Sequence, residues 1–218
     1  MRLQELREQV WKANVQLPKL GLVAMHSGNA SGYDPESRTV LIKPSGVDYD
    51  ALTPKDLVTV DIDTGEPQNS ELRPSVDLPH HLYLYRNMHG VRGIVHTHSN
   101  HATAFAACHK PIPLALTSIA DEFGGAIPCA PYVDNEGESI GRAIIKHKSK
   151  GPAILLANHG VFAWGDSPES ALKSAAMVED AAKTILLAFQ IGQPIEIPPS
   201  EAQKWWNRYQ YQYGQRKD

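Results

Sequence analysis

Strand-like and helix-like stretches interleave along this 218-residue chain, but without the regular strand–helix–strand rhythm of a doubly wound fold. That pattern predicts a single mixed α/β domain, residues 1–218, with a central sheet and helices on both sides. An amphipathic helix is expected over about residues 2–17, with Leu3, Leu6, Val10 and Leu17 on one stripe. A small-residue loop, HSGNASGYD (26–34), comes before strand-like runs at 38–46 and 58–60. DIDTGEP (61–67) reads as a turn, where Gly65 supplies a permissive φ. Further on, the pattern predicts helices at 78–88, near 100–108 and at 138–149, and strands at 93–99, near 126–133 and at 153–157. Ser167-Pro168-Glu169 opens the longest helix, with a capping Ser and Pro at the first helical position, ending near Gln190 and Gly192.

Composition excludes several classes. Hydrophobic residues at 42% and charged residues at 21% are ordinary globular usage, not that of a disordered chain. A net charge of −3 with scattered basic residues argues against nucleic acid as a partner. No apolar run approaches the roughly 18 residues of a membrane span, and the charged start MRLQELREQVWKAN is no secretory signal. A soluble cytoplasmic protein is expected. Two cysteines, Cys108 and Cys129, make neither a disulfide scaffold nor a cysteine-rich zinc module.

Ten histidines carry most of the chemistry. His96 and His98 stand two apart in GIVHTHS, so on a strand their imidazoles project from one face. His159 ends another apolar run, LLANH. Three His nitrogens with an open fourth position is the donor set of a catalytic zinc; the competing reading is a set of unrelated polar positions at strand ends. His80 and His81, adjacent on a helix, do not share a face. His26, His89, His101, His109 and His147 sit in polar contexts that suit solvation, with His101 set apart by its place just after HTHS.

Anion-binding chemistry gathers in three short stretches. Gly28-Asn29-Ala30-Ser31-Gly32 can bring backbone N–H groups close to an anion. Lys43-Pro44-Ser45-Gly46 adds a cation and a hydroxyl, and Pro74-Ser75-Val76-Asp77 precedes a helix N-terminus. None is a P-loop or a dinucleotide fingerprint. Asp77 reads equally well as an N-cap. Near the C-terminus Trp205, Trp206, Tyr209, Tyr211 and Tyr213 crowd together, which suits a docked segment, on the chain's own body or on a neighbouring subunit.

HSGNAS, IKPSGVDY, RPSVD, GIVHTHS, NHGVFAWG and the terminal YGQ occur in this order, and with them the chain resembles the class II aldolase/adducin family, closest to its phosphopentulose epimerase branch. The resemblance covers the chain from the first helix to Gln215. It implies a central, mostly antiparallel sheet flanked by helices on both sides, in a homotetramer with active sites between subunits and the tail 201–218 at an interface. It implies zinc (with manganese or cobalt as alternatives) on His96, His98 and His159, with Asp77 as a further metal-site and catalytic residue at an acidic position that is typically Glu in the related aldolases. Phosphate binding falls on Gly28, Asn29, Lys43, Ser45, Gly46 and Ser75, and acid/base roles fall on Asp121 and Tyr213, both reaching a neighbour's site. The implied reaction is zinc-dependent 4-epimerisation of L-ribulose 5-phosphate to D-xylulose 5-phosphate through C3–C4 cleavage and re-formation. Val76 replaces a second Ser, Ile119 replaces a His two before Asp121, and the tail carries no His. The alternatives are a class II aldolase that releases its aldehyde and a non-catalytic binding module; the retained His set weighs against the module.

Overall fold

The computed structural model describes residues 3–68 and 71–214. Gln215, the last residue of the YGQ motif, lies outside the described residues. Eight strands form one sheet: β1 (Asn29–Asp34), β2 (Thr39–Ile42), β3 (Val58–Asp61), β4 (Pro67–Gln68), β5 (Gly93–Thr97), β6 (Cys129–Ala130), β7 (Ala153–Leu156) and β8 (Gly160–Gly165). Their spatial order is β4-β3-β2-β1-β5-β8-β7-β6. Every neighbouring pair is antiparallel except β6 with β7.

Side chains alternate across the pleat and give each face its own core. Val95, Ala163 and Leu155 turn to one face, under α1 (Leu3–Lys19), α3 (Asn100–Ala107), α4 (Thr117–Phe123), α6 (Pro168–Ile191) and Ala202 of α7 (Pro199–Gln212). Ile94, Phe162 and Ile154 turn to the other, under α2 (Leu78–Asn87) and α5 (Ser139–His147). Helices on both sides of a mostly antiparallel sheet is the arrangement expected. α6 begins as its sequence dictates: the Ser167 hydroxyl accepts from the Ser170 N–H and Pro168 occupies the first turn.

Two expectations need correction, and one helix is new. The segment read as a loop at 26–34 is β1 from Asn29 onward, between β2 and β5. Its small residues serve close packing rather than a turn: a Cβ on Gly32 would lie 2.6 Å from Val10 Cγ2 and 2.7 Å from Leu6 Cδ1, so α1 sits directly on the strand. The strand expected near 126–133 shrinks to Cys129–Ala130. Unforeseen is α4, the helix that carries Asp121. The aromatic tail is helical, and its first half docks on the chain's own body. Ala202 is buried and Trp205 packs on the core, while Tyr211 and Tyr213 remain 83% and 68% exposed.

Candidate metal and phosphate site

β5 and β8 build the centre of the site. His96 pairs with Phe162 in register, and its ring stacks on the Phe162 ring at 4.4 Å. The chain reverses between β7 and β8 with Asn158 at φ +58°, which brings His159 back beside β5. Close approach there requires glycine at 160, where a Cβ would stand 2.4 Å from the Thr97 carbonyl oxygen and 2.7 Å from His98 Cδ2. One ring nitrogen from each of His96, His98 and His159 lies within 4.8 Å of the other two, among the described residues.

These nitrogens fit a divalent cation. His96 Nδ1 lies 2.9 Å from the Val161 carbonyl oxygen, which only accepts, so Nδ1 carries the proton and Nε2 keeps its lone pair. His98 Nε2 is buried with no protein partner. Burial pushes His96 down to about 4 and holds His98 and His159 below the usual imidazole range, so all three are neutral donors at pH 7. An all-imidazole set suits zinc and accepts manganese or cobalt less selectively.

β1 and the start of α2 supply the acidic neighbour. Asp77 occupies the N-cap position of α2, but its side chain makes no cap bond. Its Oδ2 instead accepts from Asn29 Nδ2 at 2.7 Å, and Asn29 also donates to Ser75 Oγ at 3.0 Å. Burial acts to raise the Asp77 carboxyl, but the His96 and His81 rings and the Asn29 amide outweigh it and hold it below the usual carboxylate range. Asp77 is not part of the three-imidazole cluster. Asn29 pairs with His96 across β1 and β5, so one residue links the acidic group to the ligand strand.

The anion-binding side is built around Lys43. It is the largest of the fully buried side chains, 1% exposed; its Nζ donates to the Pro44 carbonyl oxygen at 3.3 Å and lies 4.7 Å from the Tyr49 ring, and the Asp48 carboxylate partly offsets the burial of its charge. Burial lowers its ammonium from the ordinary value. A buried cation with so little compensation is able to hold an anion. Ser45 and Gly46 line the same cavity, of about 170 Å³, with Gly28, Asn29 and Ser75, beside Asp77 and the three histidines. Gly28 has φ +74°, and a Cβ there would lie 2.7 Å from the His96 carbonyl oxygen. Thus every residue expected to bind metal or phosphate converges on one cavity.

The Class II Aldolase and Adducin N-terminal domain matches residues 8–186 of the chain. The chain belongs to the class II aldolase/adducin family. An L-fuculose 1-phosphate aldolase superposes with a TM-score of 0.87 at 27% identity, over 97% of this chain and 99% of that one. YgbL of Escherichia coli, whose description names aldolase, epimerase and decarboxylase together, superposes at 0.79 with 26% identity, over 93% of this chain and 98% of that one. The L-fuculose-1-phosphate aldolase of Thermus thermophilus is 28% identical, covers 88% of this chain and 97% of that one, and has a TM-score of 0.68.

Two residues expected at the site do not line this class II aldolase cavity within one chain. Asp121 lies on α4, with its Oδ1 shut off from solvent and unpartnered, and burial raises its carboxyl. Tyr213 follows α7 and stacks on Tyr209 at 4.7 Å. The two helices pack together, tied by the Tyr209 hydroxyl, which donates to Glu122, and by Lys173 of α6, which donates to Glu122 at 3.0 Å and to the Tyr209 hydroxyl.

Other residues were missed. His80 and His81 are fully buried rather than peripheral: His81 Nδ1 bonds Ser31 Oγ at 2.7 Å, and Ser31 bonds the Tyr85 hydroxyl at 2.7 Å. An HH pair after Pro on an otherwise apolar helix, LPHHLYLY, was the available signal. Tyr49 donates to the Ser27 and Gly28 carbonyls at 2.9 and 2.8 Å and so fixes the glycine turn. Of the five histidines read as solvated, His26 pairs with Asp48 at 2.8 Å and His101 with Glu179 at 2.7 Å. Among the described residues no helix is long and apolar enough to cross a membrane.

Proposed function

We propose that the chain is a metal-dependent sugar-phosphate enzyme that inverts C4 of L-ribulose 5-phosphate to give D-xylulose 5-phosphate, by breaking and re-forming the C3–C4 bond. The observation that carries this reading is the withdrawn Asp77. A carboxylate one methylene shorter than Glu, tied back to Asn29 and outside the imidazole cluster, leaves room beside the reacting atoms. An aldehyde that must turn over and be attacked on its other face needs that room.

His96, His98 and His159 would hold the divalent cation, zinc by preference. When bound, it supplies Lewis-acid stabilisation of negative charge developing on the substrate oxygens. Lys43, Ser45 and Ser75 grip the phosphate, and the Gly28 turn lets backbone approach it. After cleavage that phosphate belongs to the aldehyde fragment, so the grip keeps the fragment in place while it rotates. Asp121 and Tyr213 serve as proton acceptor and donor at C4-OH, one for each face, delivered from a neighbouring subunit of a homotetramer. The raised Asp121 carboxyl suits a group that exchanges protons. The exposed Tyr211 and Tyr213 suit a tail that reaches a second copy.

A class II aldolase that releases its aldehyde is the second reading. It is favoured by the 27% identity to an L-fuculose 1-phosphate aldolase across nearly the full length of both chains. The test supplies zinc-loaded protein with L-ribulose 5-phosphate and follows D-xylulose 5-phosphate and free glycolaldehyde phosphate together. Epimer without free aldehyde supports the epimerase. Accumulating aldehyde moves the protein to the aldolases, and silence on both, with metal bound, rejects this substrate.

A further inference from the structure

Asn135 stands on the rim of the same cavity, in the loop between β6 and α5, and the proposed reaction gives it no role. Its Oδ1 lies 2.5 Å from His80 Nε2. An amide oxygen only accepts, so the ring N–H donates, and the Asn135 amide is thereby oriented with its own two N–H donors turned away from His80. Among the described residues no protein acceptor takes them. The partner that sets this orientation is itself fixed, since His80 is 1% exposed and sits one turn beyond Asp77 on α2.

Sheet order places Asn135 relative to the rest of the site. Lys43 follows β2, Asn29 lies on β1, His96 on β5, and His159 precedes β8. Asn135 follows β6, beyond β8 and β7, so the imidazoles lie between it and Lys43. With neighbouring strands about 4.8 Å apart, roughly 10 Å separates β2 from β5, on the order of a short sugar phosphate. A ligand with its phosphate at Lys43 and its middle at the histidines therefore presents its far end to Asn135.

We propose that Asn135 is a specificity-determining residue, whose amide donates a hydrogen bond to a hydroxyl at the substrate end remote from the phosphate, and that His80 is its positioning residue. On L-ribulose 5-phosphate that group is the C1 hydroxyl. The inference rests on the phosphosugar reading and deepens it. A site built to hydrogen-bond a hydroxyl rejects the analogue that lacks it.

The experiment is calorimetry on zinc-loaded protein with two ligands that have no carbonyl and cannot turn over, L-arabinitol 5-phosphate and its 1-deoxy counterpart. Wild type is expected to prefer the hydroxylated ligand by about tenfold, the worth of one hydrogen bond. Asn135→Ala should bring the two within about twofold, at unchanged zinc content and unchanged affinity for inorganic phosphate. His80→Gln, which keeps a donor, should retain the preference, and His80→Leu should lose it. A wild type indifferent to the hydroxyl, or an Asn135→Ala protein with its preference intact, overturns the proposal. Because nothing is turned over, silence of the wild type on L-ribulose 5-phosphate counts against the epimerase reading alone.

Discussion

Replacing Asn29 with Ala tests how the site keeps a buried carboxylate ionised. Asn29 is 1% exposed and Asp77 6%, and their 2.7 Å bond joins a neutral amide to a charge. The His96 and His81 rings act on Asp77 as charges only when protonated, in the acid range; at pH 7 burial keeps them neutral, at about 4 and about 3, and the Asn29 amide is the main group left to stabilise the carboxylate. Removing it leaves Asp77 only the 3.4 Å contact to Ser75 Oγ. A hydrogen bond to a charged group contributes about 1.5–3 kcal/mol, and leaving the charge unpaired puts the loss near the upper end, about 3 kcal/mol. For a chain of this size that lowers Tm by roughly 6–12 °C. The assay is urea unfolding of the metal-free protein at fixed concentration, followed by tryptophan fluorescence, in a cycle of Asn29→Ala, Asp77→Asn and the double variant. Once Asp77 is neutral, the Asn29 change should cost at least about 1.5 kcal/mol less. Additive losses, within about 0.5 kcal/mol, would refute the argument that Asn29 acts through this charge.

Lys43→Met should weaken inorganic phosphate binding at least tenfold in calorimetry, yet leave the free protein as stable or about 1 kcal/mol more so, because a similar volume is kept and a poorly compensated buried charge is gone. The same variant has a pH signature. Burial depresses the folded Lys43 ammonium below its ordinary 10.5, so the folded chain binds fewer protons than the unfolded one and stability gains as pH rises toward 10.5. Lys43→Met should remove that gain in parallel unfolding curves at pH 7 to 10. Gly160→Ala forces a Cβ against the Thr97 carbonyl and His98, and should cost about 1–3 kcal/mol in urea unfolding and lower zinc content on dialysis. Tyr213→Phe should cut epimerisation at least tenfold with zinc content unchanged; full turnover removes Tyr213 from the reaction.

The parts of this molecule that were legible in its sequence are those where local pattern and tertiary demand agree. The strand expected at 93–99 ends at Thr97, so His96 lies on β5 and His98 just past it, yet their rings stand 4.7 Å apart and the pairing that the spacing suggests is kept. Ser167-Pro168-Glu169 opened α6 where expected, because a cap satisfies the helix end locally. HSGNASGYD misled because glycine and serine signal turns in isolation, whereas here Gly32 is small so that Leu6 and Val10 can rest on the strand. That requirement belongs to α1, which lies some twenty residues upstream, and no local window holds it. His80 and His81 were set aside on a sound rule, that neighbours on a helix point apart, but buried α2 has partners on both sides: Asn135 takes one ring and Ser31 the other. Asp121 and Tyr213 could be named only by resemblance, since no local pattern marks either and neither lines the cavity of the single chain.

What unites the two ends of the cavity is that each holds a buried polar group with too few partners, and the shortage has a different form at each end. At Lys43 the missing partner is an anion, which the proposed reaction supplies as the substrate's phosphate. At His98 Nε2 it is a cation, and at Asp77 the deficit is made up internally by Asn29. The two sets of groups stand on different strands: β2 leads to Lys43, while His96 lies on β5, His98 just after it and His159 just before β8. Asn29, on β1 between them, touches both Ser75 and Asp77 and pairs with His96. Asn29 is the side chain whose hydrogen bonds tie Ser75 to Asp77 beside the ligand strand, and so it is the contact to test for coupling between the two ends. Zinc should then tighten phosphate binding in the wild type but not in Asn29→Ala, by the reciprocity of linked equilibria. Calorimetric titration of inorganic phosphate with and without zinc measures it directly, and an equal zinc effect in both proteins would show that the coupling bypasses Asn29.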